Sequence, residues 1–137
     1  MRAFVDTSSL IKKYIVEKGS EKLDAQLEAI TEIIISPIYL LEINSAIERR
    51  LLEKTLTNLQ AVWIRSEIKK DFQFFSRVLW NDNLEQKALE IIHKYHLKTL
   101  DSLQLASCCL SKTDIFITSD KKLFKTAKKE LKNAKFI

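Results

Sequence analysis

The sequence holds one glycine, one proline, two cysteines and two histidines in 137 residues. So little glycine and proline excludes collagen-like, linker-rich and low-complexity chains. A lone glycine also leaves no glycine-rich loop to cradle phosphates, which removes P-loop and dinucleotide-binding readings. The cysteines are the neighbours Cys108 and Cys109, too few and too close for a disulfide scaffold, so they read as core thiols in a reducing compartment. No run approaches the 18 or so apolar residues that cross a bilayer, and Asp6 interrupts the apolar stretch a signal peptide would need. A cytoplasmic location is the resulting expectation. Histidine is no better represented: His93 and His96 are three apart on one helix and have no third ligand in register, so they read as surface residues.

What remains is a chain that is 46% hydrophobic and 30% charged, with 23 Lys+Arg against 18 Asp+Glu and a net charge of +5. Its length suits one domain spanning 1–137, able to bury roughly two thirds of its unfolded surface without disulfide or metal. The basic balance favours polyanionic partners, although charge alone does not separate RNA from DNA or a membrane surface.

Along the chain, short apolar runs alternate with helical patterns. Ala3–Val5, Ile33–Ile35 and Ile115–Ile117 read as buried strands, and Lys135–Ile137 as an edge strand. The first strand feeds a helix carrying Leu10, Ile11, Tyr14 and Ile15 and ended by Gly19-Ser20. A second helix covers Glu21–Ile30. Ser36 as N-cap and Pro37 as first helical residue open a third, running to about Lys54. Thr57 to about Phe72 is helical, and Asn81-Asp82-Asn83 opens another helix. Asp101–Leu110 and a basic segment capped by Thr118-Ser119-Asp120 complete the set. Phe74–Trp80 fits either a helix or a strand. Strands separated by helices point to a parallel sheet covered on both faces, where ligands collect beyond the carboxyl ends of the strands.

Four acids sit at such ends or at helix starts. Asp6 and Asp120 each follow a strand and are also plausible helix caps; Asp101 begins a helix, where the dipole favours a carboxylate. Glu42 has Ile38, Tyr39, Ser45, Ala46 and Arg49 as helical neighbours, a largely apolar setting. It reads either as a solvated surface residue or as a carboxylate aimed inward. Should the four converge, two carboxylates about 5 Å apart repel by roughly 3 kcal/mol at an effective dielectric near 20. Shifted pKa values or bound cations must relieve that repulsion. Oxygen ligands with few His or Cys candidates suit Mg²⁺ or Mn²⁺. Such ions activate water at a phosphodiester, toward which a basic exterior guides a nucleic acid.

The segments FVDTSSL, IYLLEIN around Glu42, TLDSLQLA around Asp101 and FITSDKKLF around Asp120 together resemble the PIN domain of VapC-type toxin ribonucleases. No single segment is specific; the ordered set, spread over nearly the whole chain, carries the likeness. The resemblance implies a three-layer α/β/α sandwich around a five-stranded parallel sheet, with Phe74–Trp80 as its third strand. It places Asp6, Glu42, Asp101 and Asp120 at the family's metal-binding positions, with Ser8 and Thr118 as supporting hydroxyls. It implies Mg²⁺-dependent hydrolysis of RNA to 5′-phosphate and 3′-hydroxyl ends, a homodimer, and a cognate antitoxin that covers the site. Lys12, Lys13, Lys121 and Lys122 are candidates for holding RNA phosphates, the alternative for each being a solvated face. The aromatic cluster Trp63, Phe72, Phe74, Phe75 and Trp80 reads as core or subunit interface.

Other acid-based α/β enzymes fit less well. A haloacid-dehalogenase phosphatase needs a second Asp two residues after the first, where this chain has Ser8. A response-regulator receiver needs an acidic pair and a late lysine that the pattern does not supply. No histidine is placed to serve the serines or cysteines as a base. The reading that remains beside the nuclease is a PIN-like module that binds RNA or protein without cleaving.

Overall fold

A computed structural model describes all 137 residues. Its five strands are β1 (Arg2–Val5), β2 (Glu32–Ile35), β3 (Ser76–Arg77), β4 (Ile115–Thr118) and β5 (Ala134–Phe136). They form one parallel sheet in the order β3-β2-β1-β4-β5. The seven α-helices are α1 (Thr7–Leu10), α2 (Ser20–Leu27), α3 (Tyr39–Leu52), α4 (Asn58–Phe72), α5 (Asp82–Tyr95), α6 (Thr99–Ser111) and α7 (Lys121–Glu130).

Period-two alternation divides the core between the two sheet faces. Ala3, Val5, Ile35 and Ile117 pack with Leu10, Leu23, Ile43, Ile47 and Ile64, so α1 to α4 cover one face. Phe4, Ile34 and Phe116 pack with Leu84, Ile91, Leu105 and Leu123, so α5 to α7 cover the other. The phenyl rings of Phe4 and Phe116 stack with centroids 5.9 Å apart across adjacent strands. This is the expected α/β/α sandwich. β3 is only two residues long, which explains why periodicity leaves Phe74–Trp80 ambiguous while the family resemblance places a strand there.

Connections that step from β1 to β2 to β3 run over one face, and those that reach β4 and β5 run over the other. The chain reverses direction in the sheet at β1 and β4, and that reversal opens a crevice at their carboxyl ends.

One helix end and one helix start differ from the sequence expectation. The helix after β1 does not run on to Gly19. It tightens into a 3₁₀ turn at Ile11–Lys13 and stops. Ser20 Oγ accepts from the Glu17 amide at 3.0 Å and donates to the Ile15 carbonyl at 3.1 Å, so the following loop is tied back on itself. Gly19, at φ 97°, instead opens α2, a conformation in which a Cβ would be strained. Nor does Ser36 cap α3. The helix begins at Tyr39, and the Ser36 hydroxyl is buried without a partner. Tyr39 is 1% exposed, stacks on Phe72 and meets Phe75 edge to face; the Pro37-Ile38 turn that delivers it inward displaces Ser36 from the capping position. Elsewhere caps follow the sequence: Thr57 and Gln60 form a capping box on α4, and Asn81 caps α5.

Candidate active site

Asp6 ends β1 and caps α1, and it is 3% exposed. Its Oδ1 accepts the Ser8 amide and its Oδ2 accepts the Thr118 hydroxyl. Thr118 ends β4 and is fully buried; its Oγ1 also accepts the Asp120 amide at 3.1 Å. The loop after β4 is latched to α1 by two further bonds. Ser8 Oγ accepts the Ser119 amide at 3.0 Å, and Ser9 Oγ meets Ser119 Oγ at 2.8 Å. A buried carboxylate and a buried hydroxyl thus join the two central strand ends.

Glu42 lies in the first turn of α3, half-buried. Its Oε1 accepts the Thr7 hydroxyl at 3.0 Å and the side-chain amide of Gln104 from α6. Asp101 occupies the first turn of α6 and Asp120 caps α7, accepting the Leu123 amide at 2.8 Å. Glu42, Asp101 and Asp120 line one cleft of about 670 Å³ with Thr7 and Ser8, directly above Asp6. Capping does not keep an acid out of the crevice: Asp120 closes α7 and lines the cleft, while Asp6 closes α1 next to the lining residues Thr7 and Ser8.

The electrostatics are those of crowded acids. Burial pushes the Asp6 carboxyl above the usual range, against the pull of its hydrogen bonds from Ser8 and Thr118. Burial also raises Glu42, opposed by Thr7 and Gln104 and reinforced by repulsion from Asp6 and Asp101. Asp101 is raised by burial and then by Asp120, while Lys122 and Lys98 lower it. Each acid is coupled to another, which is the signature of one shared negative site.

The cations are distributed unevenly. Lys122 acts on Asp101 through space without an ion pair, and exposed Arg49 lines the acid cleft with no ion pair of its own. Lys121 and Lys12 line a neighbouring cleft of about 650 Å³ near the end of β5. There the Lys12 ammonium is 3.2 Å from Glu17, and Lys13 is turned to Asp71 at 2.5 Å. Of the aromatic cluster, Phe72 and Phe75 pack on the core, whereas Trp63, Phe74 and Trp80 are exposed. His93 and His96 are exposed, and Cys108 is a buried free thiol.

Sequence reasoning misses Thr7, Gln104 and Arg49 at this site. Each has a detectable signal. Thr7 adjoins Asp6, Gln104 is one turn after Asp101 on the same helical face, and Arg49 is two turns after Glu42.

The PIN domain family matches residues 3–129. The chain belongs to the PIN domain family. Among solved structures, this PIN domain is similar to a toxin–antitoxin complex from Klebsiella pneumoniae, with 20% identity, 89% of each chain covered and a TM-score of 0.68. It is similar to PAE2754 from Pyrobaculum aerophilum at 17% identity, covering 99% of this chain and 89% of that one, with a TM-score of 0.70. It is also similar to Mycobacterium tuberculosis VapC20, a sarcin-ricin loop cleaving toxin, at 15% identity, 88% and 92% coverage and a TM-score of 0.68. At these identities the likeness is one of fold. No curated protein matches the chain by sequence.

The donor set of the PIN domain is all oxygen. No three His, Cys, Asp or Glu side chains are arranged to hold one ion as they stand. An all-oxygen set does not suit zinc, which is bound mostly by Cys and His. It suits a small hard cation that keeps several of its waters and takes one or two carboxylates. Asp101, Glu42 Oε2 and Asp120 Oδ2 make no hydrogen bond to protein and retain their lone pairs for such a role. No helix is long and apolar enough to cross a membrane.

Proposed function

We propose that this PIN domain, spanning residues 1–137, is a divalent-metal-dependent endoribonuclease. One observation carries the reading: Glu42, Asp101 and Asp120, from three separate helix starts, line one crevice beside Asp6 at the strand ends, and burial raises Asp6, Glu42 and Asp101, with Asp6 and Asp101 adding to the rise of Glu42 and Asp120 to that of Asp101. Repulsion of that kind is relieved by a cation, and the oxygen donors favour Mg²⁺ or Mn²⁺ over softer metals.

Of Asp6, Glu42, Asp101 and Asp120, one or two would hold the ion directly and the others through its waters, with Ser8 and Thr118 fixing Asp6. When bound, such an ion polarises a phosphoryl oxygen and makes water a stronger nucleophile. Attack of water at phosphorus breaks the bond to the 3′ oxygen, which takes a proton, and leaves 5′-phosphate and 3′-hydroxyl ends. An acid of the set that the ion does not take directly would accept the proton from the water. Lys122 and Arg49 flank the acids and would hold phosphates beside the scissile bond. Lys121 and Lys12 extend the basic surface into the neighbouring cleft, and Lys13 is occupied by Asp71.

The similarity to a toxin–antitoxin complex and to a toxin supports a toxin with a cognate antitoxin, and we propose with it a homodimer in the cytoplasm. Leu59, Val62 and Trp63 add support, since they expose an apolar strip along α4 of the kind that partners cover.

The test is cleavage of single-stranded and structured RNA by the purified full chain in Mg²⁺, Mn²⁺ or EDTA, with the product ends mapped by ligation. Metal-dependent cuts with ligatable 5′-phosphates, absent in Asp101→Asn, support the reading. RNA binding without cleavage in any metal would make the protein a non-cleaving PIN module.

A further inference from the structure

Gln104 is an unusual choice for its position. It projects from α6 one turn after Asp101, is 3% exposed, and lies among Leu103, Leu105 and Ala106, which belong to the core. Its amide nitrogen has two acceptors, Glu42 Oε1 and, at 3.3 Å, Thr7 Oγ1. The Thr7 hydroxyl donates to that same Glu42 oxygen at 3.0 Å.

With Glu42 ionised, as it is when it holds a cation, counting protons fixes every direction in this ring. Thr7 has one hydroxyl proton and gives it to Glu42, so it accepts from Gln104. The amide has two protons, one for each partner. Its oxygen cannot face the carboxylate, and Gln104 Oε1 is left buried with no donor. Buried acceptors are rarely left unpaired, and leucine or methionine would fill the space without that defect. The glutamine is therefore explained by what its nitrogen does.

We propose that Gln104 is a positioning residue: with Thr7 it occupies Glu42 Oε1 and fixes that carboxylate so that Oε2 alone is offered to a divalent cation. The inference rests on the nuclease reading above. Gln104 acts only through Glu42. Hydrogen-bond partners of metal ligands typically change metal affinity by about 10–100-fold when removed. Replacing Gln104 by an apolar side chain of equal length leaves Glu42 with one donor and frees the carboxylate to turn.

The experiment is calorimetric titration of Mn²⁺ into the RNA-free full chain at pH 7.5, for wild type, Gln104→Met, Glu42→Gln and the double variant. Melting temperatures of the metal-free proteins are measured alongside. Wild type binds Mn²⁺, Gln104→Met binds it about 10–100-fold more weakly, and adding Gln104→Met to Glu42→Gln weakens binding no further. Thr7→Val lowers affinity in the same direction and Thr7→Ser restores it, which decides the matter should Gln104→Met not fold. Unchanged Mn²⁺ affinity in Gln104→Met, or a loss that adds in full to that of Glu42→Gln, overturns the inference while leaving the nuclease reading intact. A lowered melting temperature with wild-type affinity does the same, because it assigns Gln104 to packing alone. A wild-type protein that binds no Mn²⁺ overturns the nuclease reading, and this inference with it.

Discussion

The Thr118 hydroxyl donates to Asp6 Oδ2 across 112 residues of sequence, joining the carboxyl ends of β4 and β1 inside the protein. Thr118 Oγ1 in turn accepts the Asp120 amide, so one threonine orders two of the four acids. Thr118→Val keeps the shape and β-propensity but removes the donor and the acceptor together. Leaving a buried carboxylate short of one donor costs about 1–3 kcal/mol. The expected outcome is a loss of that size in urea denaturation, with Thr118→Ser close to wild type. A valine variant as stable as wild type would mean that the hydroxyl does not hold Asp6.

Asp6, Glu42 and Asp101 are all held above the ordinary carboxylate range, chiefly by burial. For such groups the native state keeps protons that the unfolded chain releases. The stability they contribute is complete below the ordinary carboxylate value, about 4, and is lost as pH rises through the raised value. Glu17, Glu32 and Glu130 are shifted the other way, and their contribution is lost only as pH falls below that ordinary value. Between pH 5 and 8 the raised acids therefore set the sign. Asp6→Asn escapes the loss, so without metal its stability relative to wild type rises with pH, by about 1.4 kcal/mol for each unit of native-state shift. Urea unfolding in EDTA at pH 5, 6.5 and 8 measures this. A constant difference would show that Asp6 does not titrate in that window.

Fold and site are legible in the sequence to different depths. The strands Arg2–Val5, Glu32–Ile35 and Ile115–Thr118 announce themselves because a parallel strand buried on both faces is a short run of apolar residues. β3 does not, since two residues carry no period. Asp6, Asp101 and Asp120 are found from their places after strands or at helix starts. Their convergence is not readable locally, because each is also a good cap and a cap is what the local sequence rewards. The resemblance to a family supplies the convergence. Gln104 shows the remaining limit: inside an apolar helix it looks like one polar residue out of place, and only contact with Thr7 and Glu42 gives it meaning.

Ser36 is the clearest case of a local rule overruled. Ser-Pro before a helical pattern is a strong start signal, yet α3 begins at Tyr39 and the serine hydroxyl is buried with no partner. An unpartnered buried hydroxyl is destabilising, so Ser36→Ala is expected to be neutral or to stabilise by up to about 1 kcal/mol. Denaturation midpoints decide it. A loss of 1 kcal/mol or more would mean that Ser36 caps the helix after all.

Lys122 is exposed and faces Asp101 electrostatically, so its removal has two separable consequences. Losing the cation lets the Asp101 carboxyl rise further, because Lys122 opposes that shift in the native protein. It also removes one phosphate contact if RNA crosses the acid cleft. Counterion release makes log K fall with log salt by about 0.7 for each phosphate contacted on a single strand. In the Asp6→Asn background, where RNA stays whole, Lys122→Ala is expected to weaken RNA binding for all sequences alike and to flatten the salt slope by about that amount. Arg49→Ala should do the same, since Arg49 lines the same cleft without an ion pair. Lys13→Ala should leave the slope unchanged, because that ammonium is held by Asp71 on another part of the surface. Fluorescence anisotropy with a labelled RNA at several salt concentrations gives all three slopes, and equal slopes for the three variants would place the RNA elsewhere.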